Sequence, residues 1–139
     1  MLVKNMNSGF YIRIDRGEEI VGCIRDFCRT HKIKSGAISG LGSVWEAELG
    51  FFDTETKEYI KKELTGIYEI ASMTGNISEM DGDVYLHVHA VLSDRECRTF
   101  GGHFARGIAG ATCEVAVIPF KYGADRKFNE DIGLNLMDI

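Results

Sequence analysis

The chain is poor in several features that would each point to a function. It has one proline and one tryptophan in 139 residues, so no proline-rich linker divides it and nothing marks a second domain. It has no run of about 18 apolar residues, which excludes a membrane-spanning helix. Met1 to Arg16 lacks the continuous apolar stretch of a secretory leader, and a cytoplasmic location is the default expectation. Basic residues are the minority: 16 Lys and Arg stand against 21 Asp and Glu, a formal net charge of −5. Such a surface repels phosphate backbones, which disfavours nucleic acid and anionic membranes as partners. The densest basic cluster, Lys57, Lys61 and Lys62, alternates with Glu55, Glu58 and Glu63. That is the pattern of a solvated strand edge rather than a binding stripe. The four cysteines, Cys23, Cys28, Cys97 and Cys113, show no C-x-x-C spacing. In an intracellular protein they read as buried free thiols rather than disulfides.

What is present is ordinary globular material, 45% hydrophobic and 27% charged, in a length that suits one domain with a sizeable core. Phe10 to Arg16 alternates apolar and polar and reads as a strand. Gly17-Glu18-Glu19 opens a helix, its acids complementing the positive end of the dipole. Ile20, Ile24, Phe27 and Cys28 give that helix one apolar face. It closes near Thr30-His31-Lys32, and His31 is explained by that position rather than by chemistry.

Beyond Ile33 the period is two. Strands are expected over Lys34–Leu41 and Ser43–Phe52, around a glycine-rich bend, then over Glu58–Leu64 and Tyr68–Ser78. Polar turns lie at Asp53–Lys57 and Glu79–Asp83, the latter carrying Asp-Gly. Two further strands follow, then Gly110–Phe120. Tyr122–Glu130 reads as a loop and Ile132–Met137 as a last short strand. The fold class is α+β, a mostly antiparallel sheet with one main helix.

The chemistry sits in two strands. Tyr85-Leu86-His87-Val88-His89-Ala90-Val91-Leu92 places His87 and His89 on one face, because side chains alternate along a strand. Val84, Leu86, Val88, Ala90 and Leu92 form the opposite, apolar face. The polar segment Ser93–Arg98 reads as a hairpin loop. Centred near Glu96, the hairpin sets His103 of Phe100-Gly101-Gly102-His103-Phe104 opposite His89, with His87 a diagonal neighbour. Gly101 and Gly102 leave room beside His103 and let backbone approach closely. Three histidines of the four, same-faced and meeting across one hairpin, favour a metal site over ordinary half-exposed strand residues. Three protein ligands with no evident fourth is the pattern of an open, catalytic zinc site. Iron, manganese, nickel or cobalt also suits imidazole, so zinc is a preference. A one-residue slip in register would turn His103 to the other face.

Other motifs carry less. Gly40-Leu41-Gly42-Ser43-Val44-Trp45 begins like a dinucleotide fingerprint but leads into a strand, not the helix that pyrophosphate requires. Ser39 and Ser43 lack a nucleophile elbow, and no Walker-type Gly-Lys-Ser/Thr occurs. Glu46, Glu48, Glu69 and Glu114 are strand carboxylates able to supply a general base. Glu69 and Glu114 stand among apolar neighbours, where burial would raise their pKa. An ordinary paired or edge carboxylate remains the simpler reading of each. Arg106 points to the face away from His103 on strict alternation.

Thr65-Gly66-Ile67-Tyr68-Glu69-Ile70-Ala71-Ser72-Met73-Thr74-Gly75-Asn76 resembles the central Gly-x-Phe-Glu-Ile-x-Ser-x-x-Gly motif of the plants-and-prokaryotes conserved domain. That family is also called the PD1-like DNA-binding domain, or domain of unknown function 296. The Gly-Glu-Glu-Ile helix start, the Ser39–Val44 bend and the Gly101-Gly102-His103 end resemble it too, over about residues 8 to 121. The resemblance implies an antiparallel sheet with one main helix, assembled as a homotrimer. It also implies a histidine metal site of the stand-alone prokaryotic type, matched at His87, His89 and His103. Plant members precede the domain with an AT-hook, which this chain lacks. The same three ligands are similar to those of α-acetolactate decarboxylase, where zinc chelates an α-hydroxy-keto acid. The leading expectation is a metal-binding protein; if it is an enzyme, Lewis-acid chemistry on a small carbonyl or carboxylate compound is expected, as a metal-dependent lyase or hydrolase. The alternative is a DNA-binding or regulatory module.

Overall fold

The computed structural model describes residues 1–139. Eight strands and one helix follow in the order β1 (Leu2–Met6), β2 (Gly9–Asp15), α1 (Ile20–Thr30), β3 (Gly36–Asp53), β4 (Glu58–Met80), β5 (Asp83–Ser93), β6 (Thr99–Pro119), β7 (Arg126–Asn129) and β8 (Leu134–Met137). The main sheet runs β1-β2-β6-β3-β4-β5, and β5 also pairs with β6. Strands β6, β3, β4 and β5 therefore close on themselves as an antiparallel barrel, with β2 and β1 continuing the sheet beyond β6. The two functions of β6 follow from its length. Thr99–His103 pairs with β5, whereas Thr112–Val117 pairs with β2.

The helix forms as its sequence dictates. Glu19 is the N-cap and its carboxylate accepts from the backbone N–H of Val21 and Gly22 at 3.0 and 2.6 Å, satisfying donors that have no partner inside the helix. The same carboxylate accepts from Gly107 N–H at 3.1 Å, which ties the helix start to β6. Ile20, Ile24, Phe27 and Cys28 are all buried and join the apolar interior with Ile12, Ile14, Val44, Val88, Leu92, Phe104, Val115 and others. Burying each large aliphatic side chain contributes roughly 1.5–3 kcal/mol. His31 is the C-cap, its Nδ1 3.0 Å from Phe27 O.

Three sequence expectations are revised, and one strand, β1, is new. The bend at Ser39–Ser43 is not a break: β3 is continuous, with bulges between Gly40 and Gly42 and between Val44 and Glu46. Gly42 has φ +150°, and a Cβ there would lie 2.7 Å from Cys113 Cα, so glycine is required for the kink. The gap between Leu64 and Tyr68 is likewise spanned by a single β4, with Gly66 at φ +121°. Strand β1 carries no alternation because every residue in it is exposed; it is held by pairing with β2 alone. Within the expected loop Tyr122–Glu130, Arg126–Asn129 forms β7 and pairs with β8. The inward residue there is an arginine, so no apolar period announces the strand.

The turns hold their expected chemistry. Asp81 and Gly82 both have positive φ, 53° and 78°, which suits the two-residue loop between β4 and β5. In the β5–β6 loop Asp94 Oδ1 accepts from Glu96 N and Arg98 N, each at 3.0 Å. Cys28 and Cys113 are buried free thiols, Cys23 is half-buried, and Cys97 is exposed in that loop, against the expectation of burial. No helix is long and apolar enough to cross a membrane.

Candidate metal centre

The three histidines meet. His89 pairs with His103 across β5 and β6, the register that a hairpin centred near Glu96 requires. His87 Nε2 lies 3.2 Å from His89 Nε2, and one ligand nitrogen from each of His87, His89 and His103 falls within 4.8 Å of the other two. Ring centroids are 5.1 to 5.5 Å apart. Two imidazole nitrogens bound tetrahedrally at about 2.0–2.1 Å from zinc stand roughly 3.3 Å apart. The His87–His89 spacing matches that chord, and the three residues form a group that could hold a metal ion. Leu86, Val88, Ala90 and Leu92 turn inward and are buried. The histidines thus stand on the outer face of the barrel, His87 and His103 half-buried and His89 exposed.

The glycines act mainly through backbone approach. A Cβ at Gly101 would lie 2.6 Å from Ala90 O, and one at Gly102 2.7 Å from Gly50 O. Neither strand could come so close with a side chain there. Gly50, which pairs with His103, lies beneath Tyr59, and a Cβ on it would strike the Tyr59 ring. Tyr59 in turn meets His103 edge-on, centroids 5.9 Å apart at 86°.

Burial and mutual repulsion favour the neutral form of His87 and His103. Burial, then the positive charges that His87 and His89 would carry, lower the His103 pKa to about 4, against a weaker upward pull from Glu48. Burial, His89 and Arg126 lower that of His87. Neutral imidazole is the form that ligates a metal. Glu48 is held by Lys61, Oε1 to Nζ 2.9 Å, and that partner keeps its carboxyl below the usual range.

The other candidates from sequence lie elsewhere. Glu69 and Glu114 are exposed, so the expected burial of these two carboxylates is absent. Glu69 borders a groove near the β5–β6 loop, and Glu114 one beside β1. Glu46 and Arg106 pair with each other at 3.5 Å. Of the four carboxylates only Glu48 is felt by the triad.

The triad opens into a cavity of about 860 Å³. Tyr85, Asn76 and Tyr59 stand on its walls, and Leu134, Asn135, Leu136 and Met137 of β8 cover it together with Arg126 of β7. Arg126 is buried and donates from Nε to Ser78 Oγ (2.8 Å), from Nη1 to Asn135 O (2.8 Å) and from Nη2 to Asn76 Oδ1 (2.7 Å). Its guanidinium lies over the Tyr85 ring at 4.8 Å. Sequence reasoning expected β8 as a last short strand but missed Arg126 and β7, and with them the covering hairpin. Tyr85 shares the histidine face by alternation, which is the one signal that could have drawn attention to it.

Comparisons with known proteins agree on the fold. The family model of the Plants and Prokaryotes Conserved (PCC) domain matches residues 1–121. A Bacteroides thetaiotaomicron structure, described as a candidate DNA-binding protein, is similar with a TM-score of 0.96 at 34% identity, over 99% of this chain and 96% of that one. A metal-containing protein from Archaeoglobus fulgidus is similar with a TM-score of 0.88 at 35% identity, covering 98% and 97%. A plant- and prokaryote-conserved protein from Pyrococcus horikoshii gives 0.88 at 30%, covering 99% and 94%. No functionally curated protein matches the chain.

Proposed function

The chain belongs to the Plants and Prokaryotes Conserved domain family, and on that footing we propose that it is a metal-binding protein. In this reading His87, His89 and His103 hold one divalent ion, zinc by preference, with a coordination position left for a small ligand. The observation that carries it is the convergence of three imidazoles on the mouth of one cavity. The description of the Archaeoglobus fulgidus relative as metal-containing supports it. The chemistry such an ion supplies is Lewis acidity toward an oxygen-bearing ligand. The chain's own residues do the rest: Tyr59 packs against His103, β8 lines the cavity beside the triad, and the lowered pKa values keep His87 and His103 available. As an enzyme it would act on a small carbonyl or carboxylate compound as a lyase or hydrolase.

Metal analysis of purified protein tests this. One ion per chain after zinc supplementation is expected, and a stoichiometry well below one counts against it. The homotrimer implied by the family belongs to the same proposal. Exposed apolar side chains such as Leu41, Ile67 and Ile118 are available to such an assembly, and light scattering measures it.

A nucleic-acid-binding role is the second reading, favoured by the description of the Bacteroides relative and opposed by the net charge of −5. Retention of random duplex DNA at low salt that fades as salt rises would support it.

A further inference from the structure

Arg126 is the one charged side chain that the fold buries, and none of the protein's ion pairs includes it. Its three hydrogen-bond acceptors, Ser78 Oγ, Asn135 O and Asn76 Oδ1, are all neutral. Arginine cannot escape by shedding its proton, and a buried ion is costly unless paired. The cavity that Arg126 lines offers no remedy, because no Asp or Glu contributes to its wall. The three imidazoles add no negative charge, and a divalent ion adds two positive ones. Charge balance therefore has to come from what enters.

The place of Arg126 ties it to the triad. Asn76, which accepts from Nη2, pairs with His87 across β4 and β5. Tyr85, beneath the guanidinium, precedes His87 by two residues on the same face. Three of the five guanidinium N–H groups are engaged, so two remain. One is left on each of Nη1 and Nη2, and a carboxylate accepts from such charged donors. The surrounding Phe52, Leu134, Leu136 and Met137 suit an apolar body, and about 860 Å³ lies within the usual range for a small-molecule site, roughly 300–1,000 Å³.

We propose that this cavity takes a small organic carboxylate whose negative charge is read by Arg126. The proposal rests on the metal reading only for the ligand's second anchor. Arg126 lies beyond the 1–121 stretch that matches the family model, so the assignment concerns the covering hairpin rather than the family motif.

The test uses butyrate and butyramide, equal in size and unequal in charge. Each is titrated into cobalt(II)-loaded protein by visible absorbance, and into metal-free protein by thermal shift. Wild type is expected to prefer butyrate, and Arg126→Gln to weaken butyrate about 10- to 100-fold while cobalt stoichiometry and butyramide binding stay put. Equal binding of the two probes by wild type, or an undiminished preference for butyrate in Arg126→Gln, overturns the proposal. Tighter binding of inorganic phosphate than of butyrate overturns the carboxylate assignment. Should Arg126→Gln undock the hairpin, Arg126→Lys decides. A retained preference for the charged probe supports a charge-reading role, and its loss in a folded protein refutes it. Failure of wild type to take up cobalt refutes the metal reading alone, since the metal-free titration still scores the anion.

Discussion

His89 and His103 are directly paired residues at the seam where β5 meets β6, so the contact that closes the barrel is also the contact that assembles the triad. Site and closure share a register. A shift of one residue would leave a strand pairing of a kind but would send one ring into the interior and an apolar side chain out.

Replacing His103 by alanine should remove bound metal without removing the fold. The side chain is half-buried on the outer face and contributes nothing to the apolar interior. Zinc content is expected to fall from about one ion per chain to a small fraction of it, with the far-ultraviolet spectrum and oligomeric state unchanged. Dissociation of the protein on losing the metal would instead assign the ion a structural role.

Acid should weaken the metal-free protein in a defined window. His103 titrates near 4 when folded, chiefly because it is buried, and near 6.5 when unfolded. Between those values the unfolded chain binds a proton that the folded chain refuses. Stability present above about pH 6.5 is therefore lost as pH falls toward about 4, and no more is lost to this group below that. His87 acts in the same direction. Urea midpoints of wild type and His103→Gln should diverge across that window, with the shallower decline in the variant. Parallel curves would show that burial of this ring carries no such cost.

Gly50→Val should disturb the site through Tyr59. The added side chain would occupy the space of the phenol ring, which packs on His103. Overpacking of this kind costs about 1–3 kcal/mol, and displacement of Tyr59 should weaken zinc binding as measured by competition with a chromophoric chelator. Tyr59→Leu in the same background should recover part of the stability, because a smaller side chain yields the space.

Phe104 tests the coupling of the site to the interior. It follows His103 and is only 1% exposed, with Gly107 packed against its ring. Phe104→Ala should cost about 3–5 kcal/mol, read as a lower urea midpoint. Glu19→Ala should cost about 0.5–2 kcal/mol, because it frees Val21 and Gly22 N–H at the helix start and releases Gly107 N–H on β6.

Much of this architecture is local and therefore visible in the chain. The helix from Ile20 to Thr30 declares itself by its acidic start and its apolar stripe. The inward face of β5 declares itself by alternation, and the Asp81-Gly82 turn by its residue types. What stayed hidden has a common cause. Gly42 and Gly66 look like breaks, but a bulge lets a strand kink without ending, and only the neighbouring strand's register distinguishes the two. Glu69 and Glu114 have apolar neighbours in sequence, yet alternation turns those neighbours in and the carboxylates out. The short β7 carries Arg-Lys-Phe-Asn, in which no periodicity marks an inward face.

The sequence by itself determined that His87 and His89 lie on one side of a strand, since a period of two needs no other part of the molecule. It also set the loop length that brings His103 opposite His89. Tertiary structure alone decided what surrounds them. A hairpin from the far end of the chain covers the cavity and carries in a cation with no acidic partner. Side chains some 50 residues apart, such as Asn76 and Arg126, become neighbours because the separate β7–β8 hairpin docks on β4, a global packing solution that no local pattern encodes.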